Sequence, residues 1–191
     1  NTFKNLLNRL FVCINLFYCV ENFNTPFGPC NLVNTGQSYS DSEIQKIIQN
    51  KILKLKKEFN PHSPKKKFTI IIDNGQETIY NPHWDWSLGI TYKNPEKIII
   101  KDPAHAHISN NKFQIIIEHE LNHLMVNRAD NKKTAPRWFK EGFAMFYSNE
   151  ISFNHKIKIG QNINNINLLN LNNLKKFKGM NQADFHLSYA L

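Results

Sequence analysis

Apolar positions recur along this chain in two rhythms, one helical and one extended, and the rhythms alternate. Ile44, Ile47, Ile48, Ile52, Leu55 and Phe59 fall on one helical face, with lysines opposite. Ser40-Asp41-Ser42-Glu43 ahead of them makes a capping box, and Pro61 and Pro64 stop the helix near Asn60. Phe68 to Asp73 (FTIIID) is short and β-branched, which predicts a buried strand, and Asn74-Gly75 supplies a turn after it. Lys97 to Lys101 (KIIIK) predicts a second strand, ended by Asp102-Pro103. Helical spacing returns with Phe113, Ile116, Ile117, Leu121, Leu124 and Met125, interleaved with Lys112, Glu118 and Asn122. Ser109, Asn110 or Asn111 can cap this helix. Pro136, with Thr134 or Ala135 near the cap, suits the first turn of a further helix carrying Trp138, Phe139, Phe143, Met145 and Phe146.

The flanks are less regular. Lys4 and Arg9 precede an apolar stretch from residue 10 to residue 20, too short to span a bilayer comfortably. It reads as an export signal, or else as an N-terminal anchor or a helix packed on the domain, and it predicts an extracellular or envelope location. Residues 21–39 contain Pro26, Gly28, Pro29 and Gly36 and read as an irregular linker. His83, Trp84, Asp85 and Trp86 sit in a loop, as packing anchors or as a substrate wall. After Tyr147 the chain is crowded with Asn and shows no clean period. An extended connection, a short helix around Leu171 to Phe177 and another helix from Asp184 are expected there. The predicted organisation is a signal or anchor (1–20), a linker (21–39) and one domain (40–191) cut short at its C-terminus. Its class is α+β: a small mixed β-sheet packed on one central helix, with a helical C-terminal part.

Composition narrows the function classes. With 191 residues and 41% hydrophobic content the chain can bury a real core. The net charge is +9, but Lys54, Lys56, Lys57 and Lys65 to Lys67 cluster on one helix's polar side and one loop. A groove with interleaved aromatics is missing, so no specific nucleic-acid partner is expected; the lysines form a solvated face or a surface for anionic polymers. Cys13, Cys19 and Cys30 show no C-x-x-C spacing, which argues against a zinc ribbon. Asp102, His105 and His107 are candidates for a second metal site, but they are irregularly spaced in a loop, and exposed histidines are the favoured reading.

Candidate chemistry concentrates in Phe113 to Tyr147, where His119-Glu120-Leu121-Asn122-His123 forms an H-E-x-x-H pentad. On a helix, residues four apart share a face about 6 Å apart along the axis, so both imidazoles can address one ion. Zinc takes neutral imidazole nitrogen and carboxylate oxygen in a tetrahedral shell and, with three protein ligands, keeps a place for water. Glu120 is adjacent to His119 and can act as general base toward that water. The third ligand must come from another element. A short helical hairpin would fold Glu141 back over His119 and His123, and Gly142 beside it removes a side chain at the helix contact. The competing readings are an ordinary surface helix for the histidines and a solvated charge for Glu141.

HELNH followed by PRWFKEGFAMFY resembles the gluzincin metallopeptidases, specifically the peptidase MA-like group, which carries H-E-x-x-H and then W-x-x-E-G-x-A. Seventeen residues separate His123 from Glu141, which is compatible with that layout. The resemblance is firm from about Lys97 to Tyr147. It implies a zincin-like domain of the gluzincin type, Zn2+ as cofactor, His119, His123 and Glu141 as metal ligands, and Glu120 as catalytic base. It also implies hydrolysis of a peptide or protein substrate, with the strand at Lys97 to Lys101 edging the cleft and pairing with the substrate backbone. Gly89, in the preceding LGIT segment, would permit close backbone approach. The G-x-M-E-N segment of the related aminopeptidases does not occur. The group's Y-x-x-S segment is altered, with Phe185 in the tyrosine place before Ser188 and Tyr189, which leaves His186, Tyr189 or a residue beyond 191 as oxyanion donor. Two other classes stay open: a catalytically silent zinc-binding interaction module, and a basic surface or polymer-binding protein.

Overall fold

The computed structural model describes residues 20–59, 65–75, 87–130 and 134–150. Along the chain these form β1 (Val20–Thr25), β2 (Gly28–Asn34), α1 (Asp41–Phe59), β3 (Phe68–Asp73), β4 (Gly89–Lys93) and β5 (Glu96–Lys101). Then follow α2 (Pro103–Ala106), α3 (Asn110–Ala129) and α4 (Arg137–Tyr147). The class is mixed α and β, with one five-stranded mixed sheet in the order β1-β2-β3-β5-β4. The three inner strands β2, β3 and β5 run parallel, and β1 and β4 pair antiparallel at the two edges.

Register explains the core. Leu32, Ile70 and Ile98 are paired neighbours on one face, as are Ile72 and Ile100 one step further along. All five are at most 1% exposed. Ile44, Ile48, Ile52 and Leu55 of α1 and Phe113, Ile117, Leu121 and Leu124 of α3 close over that face in one apolar cluster. Each such side chain contributes about 1.5–3 kcal/mol of transfer free energy. The capping box starts α1: Ser40 N–H donates to Glu43 Oε2 (2.8 Å), and Glu43 N–H lies 3.4 Å from Ser40 Oγ. Ser109 is the residue that caps α3, its Oγ accepting from Lys112 N–H at 3.2 Å.

Three expectations need correction. Residues 21–39 are not a linker from end to end, because a β1–β2 hairpin occupies 20–34 and belongs to the sheet. Its Pro and Gly punctuate two short strands: Thr25 Oγ1 donates to the Gly28 carbonyl (2.7 Å) and accepts from Phe27 N–H (3.1 Å). Gly28 takes φ +121, where a Cβ would strike the Lys66 backbone. The folded unit therefore begins by Val20 and not at residue 40, and Cys30 lies in its core, where burial pushes the thiol up to about 12. The strand around Lys97 to Lys101 is not the edge; it sits between β3 and β4, and the LGIT segment supplies the edge strand β4. Finally, Pro136 precedes α4 as its N-cap, one position before the helix proper.

The apolar start before Val20, the loop at 83–86 and the whole of 151–191, including Phe185, His186, Ser188 and Tyr189, lie outside the described residues. Among the described residues no helix is long and apolar enough to cross a membrane.

Arg128 fastens the far end of α3. It is 4% exposed, donates to the carbonyls of Phe27 (2.7 Å) and Lys66 (2.9 Å), and pairs with Glu96 Oε2 (2.5 Å). One side chain thus ties the helix to the β1–β2 turn, the entry to β3 and the start of β5. Truncation would leave those acceptors and the Glu96 charge without their partner. Arg128→Ala is expected to lower unfolding free energy by about 3–5 kcal/mol in urea titration. A loss under about 1 kcal/mol would show that these bonds are replaced by water at no cost.

Candidate metal centre

The centre is assembled on α3 and α4. Helix α3 is buried along most of its length, with His119 at 7% and Glu120 at 5% exposure. After Ala129 the chain must reverse, and Asp130 organises the reversal. Its Oδ1 accepts from Thr134 N–H (2.7 Å) and Thr134 Oγ1 (3.2 Å), and its carbonyl accepts from Lys93 Nζ (3.2 Å). The Lys140 ammonium, 2.8 Å from Oδ2, holds the Asp130 carboxyl well below the usual range. Lys140 also donates to Asn127 Oδ1 at 3.2 Å, which joins the first turn of α4 to the last turn of α3. Ala144 and Met145 then bury completely, and α4 runs back along α3 with Glu141 over the histidines.

His119 Nε2, His123 Nε2 and Glu141 Oε2 form a triangle with sides of 3.0, 3.3 and 3.7 Å. Ligands of a tetrahedral zinc ion at about 2.05 Å stand about 3.3 Å from one another. The circle through the three atoms has a radius of about 2.0 Å, so a point at zinc bonding distance from all three exists close to their plane. The two rings are nearly perpendicular (74°), each presenting Nε2 inward. Two imidazole nitrogens and a carboxylate oxygen are the donor set that suits zinc. Among the described residues this is the group that could hold a metal ion.

A second layer, unmarked by any sequence pattern, stands behind His119. Glu150, just past α4, brings Oε2 to 2.8 Å from His119 Nδ1, off the axis of a well-aligned hydrogen bond, while its Oε1 pairs with Lys112 Nζ at 2.7 Å. Asn149 at φ +55 and the bond from Glu150 N–H to the Met145 carbonyl (3.1 Å) turn the chain into that position. Carboxylates behind a metal-binding histidine commonly orient its ring. Arg137 Nε lies 3.6 Å from Glu141 Oε1, one turn back on α4. Glu120 points toward β4, where Thr91 Oγ1 donates to its Oε2 at 2.6 Å, and its charge is felt at His119.

Other sequence candidates separate from this cluster. Asp102 caps α2 and accepts from Ser38 N–H and Oγ, while His105 and His107 are exposed, as favoured. Glu118 and Asn122, expected as polar spacers, are buried, and Glu118 is clamped by Lys51 (2.8 Å) and Lys54 (2.5 Å) of α1. Lys56, Lys57 and Lys65 to Lys67 are exposed, as expected of a solvated face, while Lys54 is half-buried and, with Lys51, pairs with the buried Glu118.

Comparison with protein-family models, curated proteins and solved structures finds no match to this chain.

With no metal bound, the neighbouring carboxylates favour a proton on His119. Burial alone would lower the His119 pKa from 6.5, but the carboxylates of Glu141 and Glu150 outweigh it and raise it to about 10. Burial likewise opposes ionisation of Glu141 and Glu150, but His119 with His123 for the first and with Lys112 for the second holds both below the usual 4.5, Glu150 at about 2. The raised His119 pKa contributes stability that is complete below pH 6.5 and is lost as pH rises through about 10. The lowered glutamates contribute stability that is complete above pH 4.5 and is lost as pH falls toward about 2. The melting temperature of the metal-free chain should therefore peak between about pH 4.5 and 6.5 and decline toward pH 10. Zinc binding at pH 7 should release about one proton per ion, measured calorimetrically in buffers of different ionisation enthalpy. Zinc uptake with no proton release would contradict this charge arrangement.

Proposed function

We propose that this chain is a zinc-dependent peptidase of the gluzincin type, and that its sheet and helices form a zincin-like domain. The observation that carries the reading is the triangle of His119, His123 and Glu141, with the Glu120 carboxylate adjacent on the same helix. A zinc ion held there would supply an acidified water near neutral pH and polarise a carbonyl.

The residues of the chain divide the remaining work. His119 and His123 give neutral nitrogen and Glu141 gives charge, while Glu150 and Lys112 hold the His119 ring from behind. Glu120 accepts the proton of the attacking water and passes it to the departing amine. Among the described residues β4 is hydrogen-bonded on one side only, to β5, so its other side can receive an extended peptide backbone by strand addition.

The test compares zinc content and hydrolysis of a peptide mixture by the full chain, Glu120→Gln and Glu141→Gln. Glu120→Gln should keep about one zinc and lose roughly 10²- to 10⁴-fold in kcat, the range of general acid–base catalysis. Glu141→Gln should lose the zinc itself. Stoichiometric zinc with no hydrolysis by the wild type would favour a silent zinc-binding module. Zinc content well below one, unchanged by Glu141→Gln, would favour a basic surface-binding protein.

A further inference from the structure

We infer that the edge strand β4 is a positioning element for the Glu120 carboxylate: Thr91 fixes one of its oxygens, and Gly89 leaves open the space its side chain fills. The inference rests on the reading of Glu120 as the base, and concerns what aims that base.

Residues 89, 91 and 93 share one face of β4, since side chains alternate along a strand. All three address α3. Thr91 Oγ1 lies 2.6 Å from Glu120 Oε2 and 3.1 Å from the Glu120 backbone carbonyl. Lys93 Nζ donates to the Asp130 carbonyl at the end of the same helix. A Cβ on Gly89 would stand 2.8 Å from Glu120 Cγ, 2.8 Å from Oε1 and 3.0 Å from Cδ, closer than side-chain atoms pack. The backbone of Gly89 is not in the left-handed region, unlike Gly28 and Gly75. Its want of a side chain therefore answers to Glu120 and not to the chain's own turn.

These contacts split the carboxylate. Oε2 is taken by the Thr91 hydroxyl, a bond to a charged group inside a buried site. Among the described residues no hydrogen bond reaches Oε1, which lies over the open Gly89 and is the oxygen left to exchange a proton. A glutamate on a helix has three rotatable bonds, and losing that freedom in advance spares the cost during reaction. The strand offered to substrate is thus also the strand that aims the base.

Thr91→Val keeps the volume and removes the hydroxyl, and Thr91→Ser keeps the hydroxyl. With the zinc-loaded full chain and a peptide substrate, Thr91→Val should lower kcat about 10- to 100-fold, the worth of a hydrogen bond to a charged group, with KM little changed. Thr91→Ser should recover most of that loss. Gly89→Ala should lower kcat by displacing the side chain while zinc affinity, measured by chelator competition, stays as in wild type. A readout free of turnover is the ¹³C-carboxyl resonance of Glu120 in glutamate-labelled chain, assigned by its loss in Glu120→Gln. It should move in Thr91→Val and stay in Thr91→Ser. An unmoved resonance in Thr91→Val, or Ser as impaired as Val, overturns the inference. A wild type that binds zinc but hydrolyses nothing, with the resonance still moved by Val, overturns the proposed peptidase and upholds the Thr91 contact.

Discussion

The triangle of His119, His123 and Glu141 depends on a helix reversal. His119 and His123 are neighbours by virtue of helical pitch alone, but Glu141 reaches them only because α4 turns back along α3. Asp130 holds that reversal through Thr134 on one oxygen and Lys140 on the other, with Lys93 of β4 on its carbonyl. A loop without such pins would let the second helix swing, and a shift of 1 Å in Glu141 is large beside a bonding distance of about 2 Å. The same reversal carries Glu150 round to the outer nitrogen of His119. Both layers of the centre therefore share one mechanical support.

Helix α3 is unusual in what it buries. Glu118, His119, Glu120, Asn122 and Arg128 are all nearly inaccessible. Buried charge is tolerated when it is paired, and the charged members find partners on different elements. Glu118 meets α1, Glu120 meets β4, His119 meets the end of α4, and Arg128 meets both the β1–β2 turn and β5. These bonds fix the helix in rotation as well as in place. Apolar packing on one side would leave its rotation less well defined, and rotation is what aims the His119 and His123 nitrogens and the Glu120 carboxylate.

Much of this was legible in the chain itself. The H-E-x-x-H spacing, the capping box before α1, the β-branched FTIIID and KIIIK segments and the choice of Glu141 all depend on local periodicity or on a short connection. What escaped had no local signature. β1 and β2 are short, rich in Asn and broken by Pro and Gly, so they read as loop until strand pairing satisfies their backbones. All five residues of β4 are half-buried, and no alternation of apolar and polar side chains betrays the strand. Thr91 with Glu120 and Lys51 with Glu118 are joined across 29 and 67 residues of chain. Such pairs arise from the sheet and helix arrangement, and periodicity within one segment cannot reveal them. The lysines of α1 show the boundary: Lys56 and Lys57 are exposed as the stripe suggests, but nothing local tells that Lys51 and Lys54 reach the buried Glu118 of α3.

Zinc-edge X-ray absorption on the zinc-loaded chain tests the central claim most directly. The account predicts one ion with two imidazoles and oxygen donors at about 2.0–2.2 Å, with one imidazole lost in His123→Ala and an oxygen donor lost in Glu141→Ala. A spectrum of water oxygens alone, or one unaltered by either substitution, would contradict it.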